Sequence, residues 1–87
     1  MARVFIPQTL RSRTHGIQEV QVEGHSVRSL IAALDQQFPG IGDELCTADA
    51  LRTGLCVSID GRVTSLGLYQ RVGPDCEVHF IPAIGGG

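Results

Sequence analysis

The hydrophobic positions change period along the chain, and each change marks an element. Val20 and Val22 alternate with Glu19, Gln21 and Glu23, the period of two shown by a strand buried on one face, which predicts a strand over 17–23. Val27, Leu30, Ile31, Leu34 and Phe38 then recur at i, i+3, i+4, i+7 and i+11. That is a single apolar stripe on an α-helix, with Arg28, Asp35 and Gln36 lying off it. Ser26 stands where the N-cap belongs, and Phe38-Pro39-Gly40 stops the helix. Upstream, residues 3–10 predict a first strand antiparallel to the second, with Val4 and Ile6 on one face and Phe5 on the other. Pro7 marks an irregular or edge position there, because it has no N–H to donate to a ladder. Arg11 to Gly16 is a polar connection ending in a turn glycine.

Downstream of the helix the pattern first weakens. Residues 40–54 predict a long loop or short helical turns at 43–45 and 48–51. Leu55, Val57 and Ile59 restore the alternation, and Asp60-Gly61 is a two-residue hairpin signal leading to a short strand through Arg62-Val63. Leu66 and Leu68 are expected to plug the core. Gly73-Pro74-Asp75 turns the chain into a last strand over 76–81, where Val78 and Phe80 share a face. One amphipathic helix after a hairpin can bury its stripe only against the sheet, which predicts a two-layer α+β domain. Strands flank that helix on both sides in sequence, so the sheet is expected to be mixed, with four or five strands.

Composition narrows the function more than the fold. Eighty-seven residues make one domain without room for a deep catalytic cleft. A net charge of −2 gives no reason to expect nucleic acid or an anionic membrane as partner, and no apolar run approaches the roughly 20 residues of a spanning helix. All the basic residues are arginines, so the chain offers no ε-amine for Schiff-base or isopeptide chemistry. The opening residues carry no signal-peptide pattern, and Cys46, Cys56 and Cys76 are odd in number and far apart. A reducing, cytoplasmic setting is therefore expected, with each thiol packing as a small hydrophobe. Three cysteines so spaced do not supply an iron–sulfur cluster. Cys76 and His79 lie three apart in a strand and so point to opposite faces, which argues against a shared zinc. No histidine has a partner placed for nucleophilic catalysis, and Gly24-His25-Ser26 reads as ordinary helix capping. No enzyme site emerges.

What is left is the end of the sequence. The last strand runs through Pro82-Ala83-Ile84 into Gly85-Gly86-Gly87. A segment without side chains is thin and flexible and can lie close against a partner surface, and its one reactive group is the α-carboxylate of Gly87.

Several features together resemble the ubiquitin-like β-grasp sulfur carriers of the MoaD/ThiS family. They are the β-β-α-β-β order, Asp60-Gly61, Gly73-x-Asp75-x-x-Val78-x-x-Ile81-Pro82-Ala83 and the Gly-Gly terminus. Within that family, Ile6-Pro7-x-x-Leu10-Arg11-x-x-Thr14-x-Gly16, the long 40–52 segment and the ending Pro82 to Gly87 are most similar to the cysteine-biosynthesis (CysO-like) branch. Gly85 departs from it, where alanine is expected. The resemblance implies a β-grasp domain over 1–84 and a flexible glycine tail over 85–87. It implies a carrier that is not itself an enzyme and binds no cofactor or metal. A ubiquitin-activating-like adenylyltransferase would adenylate Gly87 with ATP and Mg²⁺, and a sulfur donor would turn it into a thiocarboxylate. A sulfur-accepting synthase would then use it, a pyridoxal-phosphate enzyme of the cysteine synthase type or the large subunit of molybdopterin synthase. Gly85, Gly86 and Gly87 would thread into the partner's active site, while Phe5, Cys56, Ile81, Arg11 and Arg52 are the candidate docking residues. A thiamine-thiazole sulfur carrier, the small subunit of molybdopterin synthase and a ubiquitin-like protein modifier are the alternative roles.

Overall fold

The computed structural model describes residues 1–82; the tail glycines 85–87, and with them the 84/85 domain boundary, lie outside the described residues. Strand β1 (Ala2–Phe5) pairs antiparallel with β2 (Glu19–Val22), matching Val4 to Val20 and Phe5 to Glu19. Helix α1 (Val27–Gln37) and a short α2 (Ile41–Leu45) follow, then β3 (Leu55–Ile59), β4 (Arg62–Thr64) and β5 (Glu77–Pro82). The sheet order is β2-β1-β5-β3-β4. The last strand is therefore central, parallel to β1 and antiparallel to β3. The sheet is mixed and five-stranded with one main helix, as the alternation implied. The architecture is the ubiquitin-like β-grasp.

The core forms between α1 and one face of this sheet. Val27, Leu30, Ile31 and Leu34 from the helix pack with Val4, Val57, Val78 and Phe80, all buried. Phe38 sits at the C-cap, only partly buried. Ser26 caps the helix as expected, and its partner is Ser29 in place of the usual longer acidic side chain. The Ser26 hydroxyl accepts from the Ser29 N–H at 3.2 Å, while Ser29 Oγ accepts from the Ser26 N–H at 3.0 Å.

Several local expectations are corrected. The first strand stops at Phe5 rather than running to residue 10. Past Pro7 the chain turns into a 3-10 helix at Gln8–Leu10, although Ile6 is still buried. Residues 41–45 are helical, but 48–51 are not; there the chain bends and Cys46 bridges to Leu51. Leu68 is a core plug and Leu66 is not. A 3-10 turn at Gly67–Tyr69, with Gly67 at φ 55°, leaves Leu66 57% exposed and Leu68 2% exposed. In β3, Ile59 is only partly buried, whereas Ser58 on the opposite face is buried.

Candidate functional site

The sheet face away from α1 carries the residues that the alternation sends outward. On β5 these are Glu77, His79 and Ile81, because Val78 and Phe80 are committed to the core. The register sets His79 beside Phe5 of β1 and opposite Ser58 of β3, and sets Ile81 opposite Cys56. Phe5 and His79 stack face to face, with ring centroids 4.2 Å apart and planes within 2°. Cys56 Sγ lies 3.6 Å from the Ile81 carbonyl. Val63, opposite Ser58 on β4, extends this strip and is 63% exposed. At the other end Arg3 and Glu77 form an ion pair of 2.7 Å. The face thus has a charged end and an apolar end.

The apolar end is the one toward which β5 runs. Pro82 is opposite Leu55 at the start of β3, and the parallel pairing with β1 puts the loop after Phe5 at the same end of the sheet. Phe5, Cys56 and Ile81 therefore form one half-buried patch leading to the strand that continues into the glycines. A central strand held by ladders on both sides is a rigid base for a thin tail.

The structure divides the two arginines that the sequence offered as docking candidates. Arg11 stays at this end, its Nε donating to the Ile6 carbonyl at 3.3 Å. Arg52 does not join the sheet face: its Nε donates to the Asp43 carbonyl at 2.8 Å, and it lines a groove with Arg28 and Asp35 of α1, on the helix side. Arg13 is ion-paired to Glu44 at 2.9 Å. The loop holding Arg11 and Arg13 is organised by the buried Thr14, whose hydroxyl donates to the Ile17 carbonyl at 2.8 Å. The sequence pattern gave neither His79 nor Val63 a place on this face. His79 was findable, since it takes the parity opposite to Val78 and Phe80, whereas Val63 is placed by its register with Ser58.

Two of the three thiols are made less nucleophilic by their surroundings. Burial pushes the Cys76 thiol above its ordinary value, and Asp60 adds to that. Burial also raises Cys46, with Arg28 pulling the other way. Among the described residues no group of three His, Cys, Asp or Glu side chains is placed to hold a metal ion. No helix of the described residues is long and apolar enough to cross a membrane.

The family profile described as ThiS family matches residues 4–87. The chain belongs to the ThiS family. It is a ubiquitin-like β-grasp sulfur carrier, and proteins of this kind are carriers rather than enzymes. Among solved structures, this ThiS-family chain is similar to a chain of the Amycolatopsis orientalis BexX/CysO complex, with a TM-score of 0.89 and 27% identity over 100% of both chains. Mycobacterium tuberculosis CysO superposes with a TM-score of 0.86 at 24% identity, covering 97% of this chain and 100% of that one. The small archaeal modifier protein 1 of Methanosarcina acetivorans superposes at 0.78 with 20% identity, covering 99% and 95%. The family match and the likeness to a chain of the BexX/CysO complex bear out the CysO-like resemblance seen in the sequence, while the other two likenesses show the shared fold. No curated protein sequence is significantly similar to the chain.

Proposed function

We propose that this ThiS-family carrier delivers sulfur from a thiocarboxylate formed on Gly87, in the biosynthesis of cysteine. The observation that carries the reading is the family match, which runs from β1 through the terminal glycines. The pathway assignment leans on the similarity to a chain of a BexX/CysO complex along the full length. A partner adenylyltransferase of the ubiquitin-activating type would supply the activation. The Gly87 carboxylate attacks the α-phosphate of Mg²⁺-bound ATP, releasing pyrophosphate and leaving an acyl-adenylate. A sulfur nucleophile from the donor then adds to the acyl carbon and AMP leaves. A carboxylate is a poor electrophile until so activated, and the activated form survives only where water is kept out. Gly85, Gly86 and Gly87 suit this because side-chain-free backbone fits a narrow passage, while Phe5, Cys56 and Ile81 would rest on the enzyme outside it. The sulfur acceptor would be a pyridoxal-phosphate synthase acting on an activated serine.

Intact mass spectrometry tests the reading. After incubation with the activating enzyme, ATP, Mg²⁺ and a sulfur source, the chain should gain one sulfur-for-oxygen exchange, located on the C-terminal peptide. An unchanged mass, with an enzyme shown to release pyrophosphate on a known carrier, would overturn it. Cysteine formed from the purified thiocarboxylate and the synthase supports the cysteine pathway; transfer only to a molybdopterin precursor or a thiazole precursor would move the carrier to another one.

A further inference from the structure

The sheet ends on two edges of different chemistry. At one, β2 shows Glu19 and Gln21 to solvent, with Glu23 directly after it, and charge along an edge discourages further pairing. At the other, β4 carries Arg62, Val63 and Thr64, and Val63 is exposed. The tight turn decides which β4 groups are free. In a two-residue turn the Ile59 carbonyl accepts from the Arg62 N–H, and bonded and non-bonded pairs then alternate along antiparallel strands. Ile59–Arg62 and Val57–Thr64 are therefore the bonded pairs, and Ser58–Val63 is not. The Val63 N–H and C=O point away from β3, toward the open edge. Among the described residues no backbone hydrogen bond outside the ladder uses either group.

Beside this edge runs an open groove of about 580 Å³, lined by Ile59, Val63 and Leu66 together with Arg62 and Gln70. Its wall is tied to the strand. The Thr64 hydroxyl donates to Gln70 Oε1 at 2.5 Å and accepts from the Leu66 N–H at 3.1 Å. Arg62 is the one charged residue of the lining. The ion pairs among the described residues are Met1–Asp75, Arg3–Glu77 and Arg13–Glu44, so Arg62 takes part in none. Asp60, the nearest carboxylate in sequence, turns instead to β5, where its Oδ1 accepts from the Glu77 N–H at 2.9 Å.

We propose that β4 takes an added strand, an extended segment of a partner protein, with an apolar side chain against Ile59 and Leu66 and an acidic one beside Arg62. Strand addition draws affinity from main-chain hydrogen bonds and specificity from pockets for alternate side chains. The free Val63 groups supply the first and the groove supplies the second. A second copy of this chain fits less well, because β4 against β4 brings two Arg62 guanidiniums to a joint lined by no carboxylate. The inference does not rest on the carrier chemistry.

Titration of the ¹⁵N-labelled chain with the peptide acetyl-Thr-Val-Asp-Ile-Asp-Val-Thr-amide tests this, beside a control peptide with lysine at both aspartates. Saturable shifts at residues 62–66 and slower solvent exchange of the Val63 amide are expected, with the control about tenfold weaker or worse. Arg62 is exposed, so Arg62→Glu should fold normally and reverse the preference between the peptides. Val63→Pro removes an N–H that the β3 ladder does not use, so the edge should tolerate it while the affinity falls about tenfold. No saturation, shifts on β2 in place of β4, or unchanged affinities in both variants would overturn the proposal. Shifts at 62–66 that follow chain concentration without peptide would also overturn it, by assigning the edge to a second copy.

Discussion

Gly24 is a residue whose importance comes from what it lacks. A Cβ there would sit 2.6 Å from Ser29 Oγ and 3.2 Å from the Leu30 backbone nitrogen. The hydroxyl cannot swing aside freely, because it accepts from the N–H groups of His25 and Ser26, each at 3.0 Å. Gly24→Ala should therefore lower stability by about 1–2 kcal/mol, from loss of the cap and local overpacking, as read by urea unfolding. Gly73→Ala is the contrast. Its Cβ would meet nothing within 4 Å, so stability should hold or rise slightly through a less flexible unfolded chain. The thiols make a second prediction at this scale. Cys76 is raised in the folded state by burial first and by Asp60 next, from an ordinary value of 9.0, and Cys46 is raised as well. The folded chain thus binds these protons more tightly than the unfolded one. The stabilisation is complete below pH 9 and is lost as pH rises through the folded values. Unfolding midpoints should fall with pH in that range, and less steeply in Cys76→Ala.

Among the elements, the β3–β4 hairpin depends most on one local conformation. Asp60 and Gly61 both have positive φ, at 50° and 86°, the two-residue turn whose twist matches the flanking strands. It sets Ile59 against Arg62 and Ser58 against Val63. Gly61→Val forces a β-branched side chain into the left-handed region and should destabilise by about 1–2 kcal/mol, measurable by thermal unfolding. Helix α1 depends instead on burial. Leu34 is fully buried, and Leu34→Ala should lower stability by about 2–5 kcal/mol in urea. Helix α2 depends on neither, being only five residues long. Its start is held by Asp35 reaching across from α1, a tertiary cap that local propensity does not contain.

For the whole molecule, the arrangement leaves the surface proposed for docking outside the core that holds the fold. One face of the sheet is committed to α1, and the other leads with its apolar end to the last strand. Ile81→Asp or Phe5→Asp should lower kcat/KM for thiocarboxylation at least tenfold while changing thermal stability much less than Leu34→Ala does. Arg52→Ala, on the helix side, should leave kcat/KM unchanged. Gly86→Val should block activation if the tail threads into the partner as proposed, because a β-branched side chain would not fit a narrow passage. Steady-state kinetics with the activating enzyme, alongside circular dichroism melts, distinguishes these outcomes.

Alternation determined where the strands lie, most of their buried faces, the single long helix and its Ser26 cap, because these depend on residues within a few positions of one another. The same parity rule already placed Phe5, Cys56 and Ile81 on one face, and the glycines were legible as a tail of unusual composition. Where the chain leaves β1 at Pro7, which of Leu66 and Leu68 goes inside, and the helical turn at 41–45 were decided by packing against distant segments. So was the company kept by each arginine. Arg11 and Arg52 look alike in sequence, yet one stays beside the sheet's tail end and the other turns to α1. Only the closed fold, by fixing the β1–β5 and β3–β5 registers at once, brings the apolar strip to the strand that continues into Gly85-Gly86-Gly87.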